Sequence, residues 1–364
     1  MSCGPNSSAP SISQPPRSGI VTLTQPPWYS ASVHRDRRPF LMQRNGIAAA
    51  FRQWFGAQGF IEVDCGSIQV SPGNEAHLHA FATEIIHPDA TRETRYLHTS
   101  PEFACKKLLA AGERRIFNLG HVYRNRERTL THAPVFSMLE WYRAEEAYAQ
   151  IIEDTVELVR LAAETAGMEM FHWRGRGTNP FAEARHMTVN DAFQEFAGVD
   201  LLATLGGDGA ADRDALAAQS PVQIAEDDTW SDIFSRILVE EVEPNLGNEC
   251  LTVLFEYPAV EAALARTCVN DPRVSERFEL YACGVELANG FGELTDPQEQ
   301  RRRFEAEMEV KRRVYGETYP IDEDLLAALT HMPPASGVAL GFDRLVMLAS
   351  GATRIDQVQW TPFT

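Results

Sequence analysis

The sequence has no paired-cysteine motif. Its six cysteines, Cys3, Cys65, Cys105, Cys250, Cys268 and Cys283, are scattered without a C-x-x-C pair. That pattern excludes a small disulfide scaffold and points to reduced thiols in a cytoplasm. No apolar run approaches the roughly 18 to 20 residues a helix needs to cross a bilayer. The N-terminal stretch also lacks the continuous apolar core of a secretory signal, so no membrane partner is expected. Positive charge is in short supply: 33 Lys and Arg stand against 51 Asp and Glu, a formal charge of -18 at pH 7. Such a balance disfavours tight nonspecific binding to nucleic acid or an anionic membrane. There is no G-x-x-x-x-G-K-[ST] loop and no G-x-G-x-x-G after a strand, which argues against a P-loop and a Rossmann site. No internal repeat is visible. What remains is a globular chain of 364 residues, 44% hydrophobic, long enough for one large domain or two ordinary ones.

Residues 1–37 are rich in Ser, Pro and Gly (SCGPNSSAPSISQPPRSG, then TQPPWYSAS). This composition buries too little apolar surface to offset its ordering entropy, and a flexible leader is expected. From Phe40 the pattern changes: Ile47, Phe51, Trp54 and Phe55 fall at i, i+4, i+7 and i+8, one face of a helix. GFIEV (Gly59 to Val63) then turns into a strand. His77 and His79 stand at i, i+2 without a third ligand, too sparse for a metal site. Ser100 and Pro101 open a helix that Lys106, Leu108 and Leu109 continue. Glu102 sits in its first turn, where it either complements the helix dipole or meets a ligand.

The stretch Phe117–Tyr142, FNLGHVYRNRERTLTHAPVFSMLEWY, reads as a hairpin, with two apolar β-prone arms around a charged loop. Glu140 lies inside the second apolar arm, and a carboxylate buried there costs several kcal/mol unless paired. A cationic partner is required, and substrate is the expected one. Ala147 to Ala166 reads as an amphipathic helix whose charges form a solvated face. Residues around 168–247 read as a helical insertion with a polar loop. Strand character returns over Leu251–Pro258 and over Arg277–Leu294, where Glu279, Glu286 and Glu293 recur every seven residues. Cation coordination is the simplest offset for three glutamates in an apolar run, and a water-facing sheet is the alternative. Ser336 to Gly351 is a glycine-bearing strand turning into an apolar helix that Asp343 and Arg344 enter.

Together these residues suit a magnesium nucleotide and an ammonium-bearing substrate. Arginine grips phosphate oxygens bidentately and lies on flat rings, carboxylates hold Mg²⁺, and Phe136 offers an aromatic face to a base.

Taken in order, GFIEV, SPEF, YRNRE with HAPVFSMLEWY, ELANGFGEL and GVALGFDRL resemble the three motifs of class II aminoacyl-tRNA synthetases of the lysyl type. More narrowly, the chain looks like the lysyl-tRNA synthetase paralogues that ligate β-lysine to elongation factor P, a family without the N-terminal anticodon-binding barrel. The resemblance spans about residues 40 to 350. Ala339 agrees, standing where the paralogues have alanine and lysyl-tRNA synthetases usually glycine. The resemblance implies an α+β fold, an antiparallel sheet flanked by helices over residues 38–364, and a homodimer through the Phe40–Val63 region. With no anticodon platform, tRNA is not an expected partner.

The resemblance further implies ATP and magnesium. Arg124 would grip the α-phosphate and Arg344 would lie against the adenine near the γ-phosphate, the two catalytic residues. Phe136 would stack on the adenine's other face, and Glu286, Leu287, Asn289 and Gly341 would complete the nucleotide site. Glu279 and Glu286 would hold magnesium. Ser100, Glu102, Glu140, Tyr142 and Glu293 would form the pocket for a lysine-like amino acid. The implied reaction is formation of an aminoacyl-adenylate, then transfer to a lysine amine of elongation factor P.

The hairpin loop departs from the family pattern. Arg126 stands where a glutamate accepts from the adenine amino group, and an arginine accepts no hydrogen bond; Glu127 follows one residue late. Ala133 and Val135 replace an amide and a carboxylate, and Gly66 replaces a proline at the end of the first motif. The residues leave three readings: a ligase acting on elongation factor P, a related adenylating enzyme with another amino acid or acceptor, and a non-catalytic ligand-binding relative.

Overall fold

The computed structural model describes residues 26–363. Most of the expected leader, residues 1–25, lies outside the described residues. The described residues divide into two units, 26–36 and those from Arg37 onward. At the end of the first, the Ser30 N–H donates to the Pro27 carbonyl at 2.9 Å and closes a turn. The helix Ala31–Ala57 then begins, inside the span expected to be leader. The reason is local: from Ser30 to Arg38 the chain has neither proline nor glycine to oppose a helix.

The second unit is built on an eight-stranded sheet, whose strands are labelled here in chain order. They are β1 (Ile61–Glu62), β2 (Arg115–Tyr123), β3 (Val135–Ala144), β4 (Arg185–Thr188), β5 (Thr252–Pro258), β6 (Val274–Ala282), β7 (Val285–Gly292) and β8 (Ala335–Gly341). Across the sheet the order is β1-β2-β3-β8-β7-β6-β5-β4. The two outermost pairings are parallel and the inner ones antiparallel. The α+β architecture read from the sequence is the one present.

Strand alternation decides which side chains meet which solvent. On β3, Leu139 and Trp141 face the helix Ala31–Ala57, whose Phe55 stacks on Phe117 at 4.3 Å and meets Trp141 edge-on at 5.7 Å. Ile47, Phe51 and Phe55 are fully buried, the helix face expected from their spacing. Glu140 and Tyr142 therefore point to the opposite face. There the neighbouring β8 offers Gly337, Ala339 and Gly341, register partners of Tyr142, Glu140 and Met138. A Cβ on Gly337 would stand 2.2 Å from the Tyr142 ring and 2.5 Å from Glu293 Oε1, so glycine there is what lets the two side chains meet.

Two expectations need correction. The span 168–247 is not purely helical. It opens with the hairpin Phe171–Trp173 and Arg176–Asn179, closed by Arg174 and Gly175 with φ of 48° and 80°, the two-residue turn that suits a twisted hairpin. It then supplies β4 before the helices Val189–Ala197, Arg213–Gln219 and Trp230–Ile237, whose Phe193, Trp230 and Phe234 form a second apolar cluster against Tyr257 and Tyr281. Nor are the charges of the helix Tyr148–Ala166 all solvated: Asp154 is buried and receives Arg143 Nε at 2.6 Å and Nη2 at 3.0 Å.

Because Phe55 fills the contact between the first helix and the central hairpin, Phe55→Ala is expected to cost about 3–5 kcal/mol of unfolding free energy, read as a lower urea midpoint.

Candidate active site

The polar face of β3, β8 and β7 opens into one cleft. Every residue expected at the site from the sequence lines it: Ser100, Glu102, Arg124, Phe136, Glu140, Tyr142, Glu279, Glu286, Leu287, Asn289, Glu293, Gly341 and Arg344. Glu75, His132 and Arg277, which the sequence did not single out, share the wall, as does Glu127.

One end is cationic. Arg124 closes β2, its Nε donating to the Thr99 carbonyl at 3.2 Å and its guanidinium lying 5.4 Å from the Phe136 ring centroid. Arg344 leaves the first turn of the helix Phe342–Ser350. It donates to the Glu286 carbonyl at 3.0 Å, to the Thr131 carbonyl at 3.4 Å and to His132 Nε2. Burial, helped by the Arg344 and Arg124 charges, lowers His132 to about 4. The imidazole is thus neutral at ordinary pH and accepts from Arg344. Asp343, its chain neighbour, points away and pairs with Arg44 at 2.5 Å.

The loop changes divide differently from the sequence expectation. Arg126 takes a left-handed backbone (φ 65°) and turns outward to Glu317 at 3.2 Å. That turn carries Glu127 to the cleft wall, so the carboxylate arriving one residue late still reaches the cavity. Val135 lies elsewhere, lining a separate groove with Arg44 and Trp360, whereas Ala133 does line the cleft. The two histidines set aside as ligands hydrogen-bond to Tyr315 (His77, 2.9 Å) and Glu317 (His79, 2.7 Å).

The evenly spaced glutamates do not act as one cluster. Glu279 Oε1 accepts from Arg277 at 2.7 Å, and its Oε2 from Tyr257 at 2.6 Å and Tyr281 at 2.5 Å. Glu286 is more open, with 38% of its side chain exposed and Arg344 Nη1 3.5 Å away. Burial and the Glu279 charge raise its pKa. Beside them the Asn289 Oδ1 is buried without a partner. Two carboxylates and an orphaned amide oxygen are hard donors that fit Mg²⁺, with Glu279 the more occupied of the pair. Among the described residues no group of three His, Cys, Asp or Glu is arranged to hold a metal unaided. Glu243, from the helical insertion, adds a carboxylate raised to about 7 by burial and by Glu279 and Glu286.

At the other end, Glu293 is paired internally. Lys106, 1% exposed, reaches Glu102 at 2.6 Å and Glu293 at 2.7 Å. Its ammonium is the cation that the sequence expectation assigned to a ligand. An i, i+4 Glu102–Lys106 pair is legible on a helix, but its reach to Glu293 is not. Glu140 is different. It is 1% exposed and receives only hydroxyls, Ser100 Oγ at 2.6 Å and Tyr142 OH at 2.9 Å. The expected cationic partner is not supplied by the chain. Burial, with the Glu102 charge adding to it, raises Glu140 to about 8.

The unfolded chain releases the Glu140 proton near 4.5, whereas the fold keeps it to about 8. Between those values the unfolded state binds fewer protons, so this group makes the empty protein less stable as pH rises. Glu140→Gln is therefore expected to stabilise the ligand-free protein clearly at pH 9 and by much less at pH 5, measured by thermal unfolding at both.

The family model described as tRNA synthetases class II (D, K and N) matches residues 27–364. Among curated proteins, the chain is 39% identical over 328 residues to the elongation factor P–(R)-beta-lysine ligase of Vibrio vulnificus strain YJ016, covering 89% of this chain and 95% of that protein. The protein of the same name from Haemophilus influenzae strain PittGG is 38% identical over 323 residues, 87% of this chain and 93% of the relative. That from Edwardsiella ictaluri strain 93-146 is 37% identical over 321 residues, with the same coverage of 87% and 93%. With the family model matching residues 27–364 and these relatives covered along nearly their whole length, the chain belongs to the class II tRNA synthetase family (D, K and N).

Proposed function

We propose that this protein is an ATP-dependent ligase that activates lysine or β-lysine as an aminoacyl-adenylate and transfers it to a lysine side chain of elongation factor P. One observation carries the reading. A single cleft holds two guanidiniums, Arg124 and Arg344, at one end and the buried, cation-free Glu140 at the other. The first end suits a polyphosphate and the second an ammonium. The acceptor rests on the relatives, which carry that activity in their names along nearly their whole length.

In the first step a carboxylate oxygen of the amino acid attacks the α-phosphorus of ATP, the bond to the bridging oxygen breaks, and pyrophosphate leaves. Arg124 stabilises the charge that develops on the α-phosphoryl oxygens. Arg344, fixed beforehand by Glu286 and His132, needs little reorganisation to meet the nucleotide. Phe136 supplies a flat face for the adenine, and Leu287 and Gly341 line the cleft around it. Glu286, Glu279 and Asn289 would hold magnesium, which neutralises phosphate charge when bound. Ser100 and Tyr142 orient Glu140 toward a substrate ammonium, while Glu102 and Glu293 shape the pocket around Lys106. In the second step the acceptor amine attacks the acyl carbon, the bond to AMP breaks, and the amine loses a proton.

Among the described residues no helix is long and apolar enough to cross a membrane, and five described cysteines are free thiols, in keeping with a cytoplasmic ligase. Homodimerisation through the Phe40–Val63 region belongs to the same proposal. Met42 and Ile61 there are 45% and 55% exposed, apolar surface that a second copy would cover.

Lysine- or β-lysine-dependent exchange of pyrophosphate into ATP tests the reading, and its absence with both amino acids would sink it. Arg124→Ala is expected to lower the exchange rate at least a hundredfold. Light scattering is expected to return twice the chain mass of 40.6 kDa.

A further inference from the structure

The amino-acid end of the cleft contains a second carboxylate without a cationic partner. Glu102 and Glu293 are neutralised in part by Lys106, and Glu140 is held by hydroxyls. Glu75 has no hydrogen-bond or ion-pair partner for its carboxylate among the described residues, although it lines the same cleft. It also lines a side recess with Thr99, Ser100 and Glu102. Thr99 is the residue whose carbonyl receives Arg124 Nε, which puts this recess on the Arg124 side of the pocket.

The backbone around Glu75 is tied down closely. Lys311, fully buried, donates to the Ala76 carbonyl at 3.0 Å and the Leu78 carbonyl at 2.6 Å. The Ala76 N–H donates to Glu307 Oε2 at 2.8 Å, and the Ala80 N–H to the Tyr319 hydroxyl at 2.9 Å. The Asn74 amide reaches the Pro320 carbonyl at 3.3 Å. A segment fastened on both sides of one residue holds that residue's carboxylate in place, and a half-buried carboxylate left unpaired is unfavourable until a cation arrives. Its pKa is raised to about 7, by burial first and by the Glu102 and Glu307 charges against the pull of Arg124.

We propose that Glu75 binds the substrate amino group nearest the reacting carboxylate, while Glu140 binds the distant one, so that the pair selects an amino acid bearing two ammonium groups. This rests on the ligase reading above. The substrate carboxylate must approach the α-phosphate beside Arg124, and the amino group one or two carbons away then falls next to the recess. An amino acid with a single ammonium would leave one of the two carboxylates buried and unpaired, a source of discrimination stronger than a missing methylene.

Pyrophosphate exchange kinetics with lysine and β-lysine test the assignment. Glu75→Gln is expected to raise the KM for the better amino acid at least tenfold, the loss of one charge-assisted hydrogen bond, while kcat and the KM for ATP stay within about twofold. Glu75→Asp, which keeps the charge and withdraws it by one methylene, is expected to give a smaller rise, and it serves if the glutamine variant folds poorly. An unchanged amino-acid KM in both variants overturns the proposal. So does an equal rise in the KM for ATP, which would mark a structural role. Wild-type protein without exchange would refute the ligase reading itself, whereas wild-type exchange with unaltered variants refutes the Glu75 assignment alone.

Discussion

The buried ammonium of Lys106 fixes the charge pattern on which the cleft depends. It joins Glu102 of its own helix to Glu293 beyond the end of β7, two residues far apart in the chain. With Lys106 and Glu293 each 1% exposed, the alternative to this pairing is an uncompensated charge in the core. The ion triplet therefore holds the helix Glu102–Ala110 against the sheet and uses up two carboxylates that would otherwise compete for a ligand. Glu140 and Glu75 are left, and their lack of a cation makes the pocket receptive.

The nucleotide end follows the opposite logic. Its cations are not free but held at angles: Arg344 by two carbonyls and a neutral imidazole, Arg124 by the Thr99 carbonyl and the Phe136 ring. Hydrogen bonds to carbonyls leave a guanidinium's charge uncancelled, and the one carboxylate beside Arg344, Glu286, stands off at 3.5 Å. Both arginines thus stay electrostatically available while losing conformational freedom before any ligand binds. Opposite polarity at the two ends, within one sheet face, orients a substrate that carries ammonium and carboxylate groups at different points.

Much of the site was legible because strands encode faces. In LEWY the alternation sends Leu139 and Trp141 to the core and Glu140 and Tyr142 to the cleft, and in GVALG it sends Val338 and Leu340 to the core. A glutamate inside such a run announces itself. Glu75 does not: it sits in an irregular loop beside His77 and His79, which drew attention as ligands and serve instead to pin neighbouring structure. Arg126 misled for a related reason. A residue-by-residue reading of a loop assumes an even backbone, and the left-handed φ at Arg126 turns it outward and Glu127 inward.

By itself, the sequence determined the hairpin, the strand-rich segments and the buried position of Glu140, because periodicity and backbone propensity act over a few neighbouring positions, while the expected cleft residues came from the resemblance of its motifs to a family. Only the tertiary structure decided how the charges are shared. Whether a carboxylate is paired depends on distances of a few ångströms between residues as remote as Lys106 and Glu293, or Tyr257 and Glu279. The falloff of Coulomb and hydrogen-bond energies with distance makes that sharing a property of the packed molecule.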